Sequence, residues 1–535
     1  MEIISQHTKK IMEACKARAK DAGLRFQDET LEYIVTNRDM IHLSPKVMIP
    51  TLYDYWVNDV EVLKETGKYK LYPHNPYETV INSRPAISFY NDNNPDWMNV
   101  MIFYHVLAHI DFFQNNILFE STWNDDFVGQ ALADKRLIET LRSRHGRWVD
   151  YVIEFSRSID NITGYFRELP RHRMEEGSET GEMLDFYLGA FLQDHLKLPQ
   201  TAIFREIERY NTFVEQSRNI AEAMFFTEVR VKYPEFQALY EKYRGTERPC
   251  VDIMEYIMKH SPFLKKESNR WMLQVMTVVR NTSLYFSPQM RSKIMNEGWA
   301  SYWHDELFRG DERIRGHEVD YARLNAGVTS LSRIGLNPYA IGLRLICHVE
   351  EMAEKGKMGK EFQRIADSEQ RNAYDLGTGK GRESIFALRR NFSDFMLLNT
   401  FVDQDFVDRH DLFVVGQRLN PDRGVVEYYI KSRKAEDYKK MMMDSLYHPP
   451  YILADPERSG EDSLYLVHHF EGKQLYKPYI ADTLMGIEFL WGGSVSLETT
   501  EIIREKTERP ADEPKYRHEK VIYTMKDRKL TKTQS

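Results

Sequence analysis

The chain has 535 residues, of which 42% are hydrophobic and 13% aromatic, more than one compact core usually holds, so two or three domains are expected. Its 73 Lys and Arg against 81 Asp and Glu leave a formal charge of -8, spread in mixed-sign clusters, which excludes a basic stripe able to follow a nucleic-acid backbone. Cys15, Cys250 and Cys347 form no C-x-x-C pair, which excludes a disulfide framework or a thiolate zinc site and suits a reducing compartment.

The first segment, MEIISQHTKKIMEACKARAK, is charged and amphipathic, without the apolar run and small-residue cleavage site of an export signal. No window reaches roughly 18 consecutive apolar residues, so no membrane span is expected, and a cytoplasmic location fits. Apolar residues then recur at three- and four-residue spacing, which predicts a mostly helical domain over residues 1–375.

Inside it, Asn94, Pro95 and Asp96 are good starting residues for a helix that runs from Trp97 towards Phe119. His105 and His109 lie on this helix four residues apart, slightly more than one turn, so both imidazoles project from one face and are able to bind one ion. The same spacing also occurs in histidines that serve only as core or surface residues. The neighbours Met101, Ile102, Phe103, Val106, Leu107, Ile110, Phe112 and Phe113 are apolar, so the pair is expected to face an interior.

A second helix is predicted to begin near Ser287 and Pro288 and to carry Glu297 and His304, two turns apart on one face. Gly298 is unfavourable by about 1 kcal/mol relative to Ala inside a helix, which points to a close backbone approach beside Glu297. Glu297 would complete a His₂Glu set with one position open to water, the geometry of hydrolytic zinc sites. Val106 stands where the H-E-x-x-H motif places its general base, so a base has to come from elsewhere.

The glycine-rich DLGTGKGRES at 375–384 has Tyr374 and Gly381 where a phosphate loop needs Gly and Ser or Thr, and reads as a linker turn. Beyond it, the short β-branched and aromatic runs DLFVVGQ, GVVEYYI and SLYLVHHF, the stretch QLYKPY, the helical ADTLMGIEFLW and the strand-like SVSLETT predict a smaller α+β domain over 376–505 that contains a β-β-α-β unit. Residues 506–535 are polar, with Pro510 and Pro514, and read as a mobile tail with at most a short ordered piece at KVIYTM. The expected class is mainly α, a large helical N-terminal domain with a zincin-like metal site and a smaller C-terminal α+β domain.

Several long segments, YETVINSRPAISFYNDNN at 77–94, HVLAHIDFFQNN at 105–116, SPQMRSKIMNEGWASYWH at 287–304, LNPYAIGL at 336–343, GRESIFALRRNFSD at 381–394 and LYLVHHFEGKQLYKPYIADTL near the C-terminus, are shared with a known family. On them the chain resembles the stage V sporulation protein R (SpoVR) family over about residues 30 to 500. The resemblance implies a role in building the spore cortex, a modified peptidoglycan. NEGWA also resembles the stretch that supplies the glutamate ligand of some helical zinc peptidases. It thus implies a metal at His105, His109 and Glu297 and amide-bond hydrolysis on a peptide-like or peptidoglycan-derived substrate. One departure is Arg280-Asn281-Thr282, where family members carry an acidic pair after the arginine.

Zinc is the favoured ion, with iron or manganese equally compatible with the ligand types. His304 is the candidate for proton transfer or a fourth ligand, beside a purely structural reading, and Tyr302 and Tyr285 are candidate donors to a developing oxyanion, beside a packing role. Asp111, Asn115, Asn116, Arg389 and Arg390 read as structural. Two other functions fit the resemblance and the ligand set: a non-catalytic regulator that works with a serine kinase system, and an iron or manganese redox protein.

Overall fold

A computed structural model of the chain describes residues 2–37, 39–40, 78–122, 127–160, 183–184, 186–196, 198, 206, 209–210, 212–213, 221–245, 250, 252–332, 335–420, 424–446, 449–470, 472–504 and 516–534. The chain is mostly helical, with a sheet-containing C-terminal region. It forms two compact units, Met1–Ser158 with Ser268–Pro449, and Ile159–Glu267 with Pro450–Ser535. These cut across the expected boundaries at 375 and 505: residues 376–449 cluster with the helical unit.

The first unit opens with β1 (Glu2–Ile3), α1 (Gln6–Asp21) and β2 (Thr30–Val35), followed by β3 (Glu78–Ile81), β4 (Ala86–Asn91) and α2 (Asp96–Asn115). The four strands make a sheet in the order β1-β2-β4-β3, with β2 and β4 parallel and β3 antiparallel on the edge. Helical periodicity does not reveal this sheet; TLEYIV and AISFYN are short enough to be lost between amphipathic helices.

α2 is the centre of the unit. Every residue from Asn99 to Gln114 is buried, as expected for a helix that is apolar on all sides. It ends at Asn115, short of the predicted Phe119, because Asn116 turns the chain and uses its side chain to accept from Leu118 N and to donate to the carbonyls of Arg389 and Phe392.

The helices around it are α3 (Arg270–Arg291), α4 (Lys293–Arg309), α5 (Glu318–Thr329), α6 (Pro338–Glu354), α7 (Gly381–Asn391) and α8 (Asp394–Phe401). Pro288 lies inside α3 rather than at the start of the next helix. The break falls at Ser292, and two N–H groups in the first turn of α4, those of Ile294 and Met295, are accepted at 2.8 Å by the carboxylate of Asp394. The cap therefore comes from a residue distant in sequence and not from Ser287.

α4 packs on both α2 and α6. The glycine-rich turn wraps the C-terminal end of α6: Gly377 and Gly379 have positive φ, and the N–H groups of Gly379 and Gly381 donate to the Glu354 carboxylate at 3.2 and 3.1 Å. The unit ends with an antiparallel hairpin, β5 (Val414–Asn420) and β6 (Val425–Ser432), and α9 (Ala435–Ser445).

The second unit contains a cluster of buried aromatic side chains, among them Phe186, Tyr187, Phe191, Phe225 and Phe236. It also contains β7 (Ile452–Ala454), β8 (Ser463–His468), α10 (Lys477–Trp491), β9 (Ser494–Arg504), β10 (Tyr516–Lys526) and β11 (Lys529–Gln534). Their sheet runs β11-β10-β9-β8-β7. β8 and β9 are parallel, which requires the crossover that α10 provides. QLYKPY is not a strand; its last residues start α10. Part of the expected mobile tail is a strand pair of this sheet, because Val521, Tyr523 and Met525 alternate into the core. Residues 505–515 lie outside the described residues.

Candidate metal centre

α2 delivers His105 and His109 side by side, both buried, with ring centroids 4.6 Å apart and planes perpendicular. Their Nε2 atoms approach to 3.1 Å. From α4, Glu297 places Oε2 at 3.6 Å from His109 Nε2 and 4.0 Å from His105 Nε2. From the edge strand β3, Glu78 offers a carboxylate oxygen, and the ligand atoms of Glu78, His105 and His109 all lie within 4.8 Å of one another. Three elements thus bring two imidazoles and two carboxylates to one place.

The far sides of both rings are tied down. His109 Nδ1 lies 2.8 Å from Asn296 Oδ1, so it donates there and Nε2 keeps its lone pair. Asn325 donates through Nδ2 to Asp305 Oδ1 at 3.3 Å, which turns its own Oδ1 towards His304 Nε2 at 3.1 Å. His304 therefore carries its proton on Nε2, and its Nδ1 accepts from His105 Nδ1 at 2.9 Å. His105 Nε2 is left with a lone pair as well. Burial, with His109 and His304 nearby, holds the His105 pKa well below the ordinary value, and burial lowers His304 to about 4. Both are neutral at pH 7, as metal-ligating imidazole requires.

The two Nε2 atoms lie 3.1 Å apart and are faced by carboxylate oxygens of Glu297 and Glu78. Nitrogen and oxygen donors of this kind match zinc, iron or manganese. Outer partners that fix each ring's tautomer are the usual companions of metal-bound histidine. On the chemistry of its donors the site fits a metal ion.

The other candidate residues have hydrogen-bond partners of their own. His304 is packed behind His105 as its hydrogen-bond partner. Tyr302 donates to Glu350 Oε2 at 2.7 Å and accepts from Arg382, away from the histidine pair. Tyr285 donates to the carbonyl of Asn82. Asn281 is exposed on α3. Asp111 is fully buried, accepts from Trp299 Nε1 at 2.9 Å and lies 3.5 Å from Arg389 Nε, pinning α4 and α7 to α2.

Sequence reasoning missed Glu78, Asn296, Asn325 and Tyr339. Tyr339, in the first turn of α6, stacks on His105 at 6.3 Å and hydrogen-bonds Glu297; burial and that carboxylate push its pKa upward. Glu78, Asn296 and Tyr339 all fall in the long shared segments, but no spacing rule connects them to the histidines.

Gly298 explains how α4 comes so close. A Cβ there would sit 2.3 Å from the backbone carbon of Gly342, and one at Gly342 would sit 2.1 Å from the carbonyl oxygen of Ile294. The two helices cross backbone to backbone, one residue from Glu297.

Among the described residues no helix is long and apolar enough to cross a membrane. No solved structure matches the chain. It is 22% identical over 497 residues to an uncharacterized protein, YcgB, of Escherichia coli (strain K12), a match that covers 87% of this chain and 86% of that protein. The family model described as SpoVR like protein matches residues 2–448. On that match, over most of its length and across all four residues of the candidate centre, the chain belongs to the SpoVR-like family.

Proposed function

We propose that this protein is a metal-dependent hydrolase of amide bonds, with His105, His109 and Glu297 as ligands and Glu78 as the group that handles the proton. The convergence of two inward-facing Nε2 lone pairs with Glu297 and Glu78 carries the reading. A bound divalent ion would supply Lewis acidity and a water of lowered pKa. Glu78 takes the part that Val106 leaves vacant: its carboxylate accepts the proton lost by the attacking water. Asn296 and the His304–Asn325 pair keep the two rings turned inward, and Tyr339 holds Glu297.

A helix bearing two histidines beside β3, which among the described residues has only β4 as a neighbour, supports the zincin-like reading. An extended peptide laid along β3 would bring an amide to Glu78. The family resemblance adds a peptidoglycan-derived peptide as the substrate class. The test is incubation of zinc-loaded protein with muropeptides, read by mass spectrometry. Cleavage is expected, with Glu78→Gln slowing it by about 10²–10⁴ while metal content is retained. Absence of cleavage with zinc, iron and manganese alike overturns hydrolysis. The pair of carboxylates beside two histidines favours one second reading, an iron or manganese redox centre; reversible oxidation of the loaded protein would support it.

A further inference from the structure

β6 carries an unusual surface. Val425, Val426, Tyr428, Tyr429 and Ile430 are each between 45% and 51% exposed, so apolar side chains face solvent from both sides of one strand. Among the described residues β6 has a single neighbour, β5, while α9 packs on β5. A two-stranded sheet is marginal alone and gains from a third strand. An open edge with exposed apolar residues is a template for pairing.

We propose that this edge is a self-association surface, on which β6 of one copy pairs antiparallel with β6 of a second copy. This is independent of the metal site. The charge pattern of the strand selects both the occupant and the register. A twofold axis perpendicular to the sheet maps residue i onto a residue on the same face, so the sum of paired positions is even. Centred on Tyr429, the register places Tyr428 opposite Ile430 twice on one face and brings Glu427 opposite Lys431 twice, at the position where the β5–β6 register shifts. Both are favourable cross-strand pairs. Glu427 already accepts from Arg418 within the hairpin at 2.9 Å, which holds its carboxylate in place. The pairing joins two hairpins into a four-stranded sheet and is closed, as an isologous dimer interface must be.

The test is the mass in solution by light scattering on the full chain, with cross-linking. Wild type is expected near twice 63.4 kDa. Tyr428→Lys with Ile430→Lys is expected to halve the mass while the far-ultraviolet circular dichroism at low temperature stays unchanged, since these side chains are exposed in the single chain. Glu427→Lys and Lys431→Glu are each expected to weaken the dimer, and the double swap to restore it. Tyr429→Cys is expected to form a disulfide-linked dimer under mild oxidation, and Lys440→Cys none above wild type. A monomeric wild type at tens of micromolar overturns the proposal, as does a dimer that ignores the β6 substitutions.

Discussion

Gly298 and Gly342 meet with no side chain between them: a Cβ on Gly298 would lie 2.3 Å from the backbone carbon of Gly342. This crossing presses α4 against α6 and sets the position of Glu297, the preceding residue. Gly298→Ala has no room to be absorbed by a rotamer change, because the obstacle is backbone. It is expected to destabilise the unit by about 1–3 kcal/mol or more and to displace Glu297. Thermal melting checks the first effect, and metal titration the second.

Asp394 caps α4 from outside the helix, accepting from Ile294 N and Met295 N at 2.8 Å. Burial pushes its pKa up to about 7, against the pull of those N–H groups. Asp394→Asn keeps one acceptor and is expected to be mild. Asp394→Ala leaves two buried donors without it and is expected to cost about 1–3 kcal/mol, seen as a lower urea midpoint.

The outer partners of the histidines predict graded effects on metal affinity. Asn296→Ala removes the acceptor for His109 Nδ1, and Asn325→Ala the one that fixes the His304 tautomer. Each is expected to weaken metal binding by about 10–100-fold with little change in the fold. Competition with a chelator measures this. Tyr302→Phe, whose hydroxyl bonds Glu350 instead, is expected to leave the affinity within about twofold, below the range for lost outer partners.

Acid stability depends on Asp311. Burial raises its pKa, but hydrogen bonds from Arg313 and Tyr104 outweigh burial and bring it down to about 2 from 3.8. A folded-state pKa below the unfolded one contributes stability that is present above 3.8 and is lost as pH falls towards 2. Wild type is expected to melt progressively earlier across that window. Asp311→Asn is expected to be less stable at neutral pH and flatter through it, as melting temperature against pH will show.

The histidine helix was readable because its signal is local: His105 and His109 share a face by spacing alone, and Gly298 announced its close contact by being a glycine inside a helix. The unread parts are those set by distant residues. Glu78 reaches the pair because β3 packs on α2, and so short a strand leaves no helical periodicity to mark it. Pro288 looks like a helix start, but the real break is at Ser292, where Asp394 supplies the cap. The tail looked mobile because polar residues surround Val521, Tyr523 and Met525, and β10 is ordered by its long pairing with β9. Tyr302 lies on the second predicted helix and Tyr285 just before its expected start, and their hydroxyls bond Glu350 and Asn82, partners that no local pattern reveals.

The central claim is that His105, His109 and Glu297 hold a metal ion. Elemental analysis of protein purified without chelator, set beside His105→Ala and Glu297→Ala, tests it most directly. The expected result is close to one zinc, iron or manganese ion per chain in wild type and a loss of most of it in both folded variants. Wild type that carries no stoichiometric metal and takes up none on titration would contradict the account.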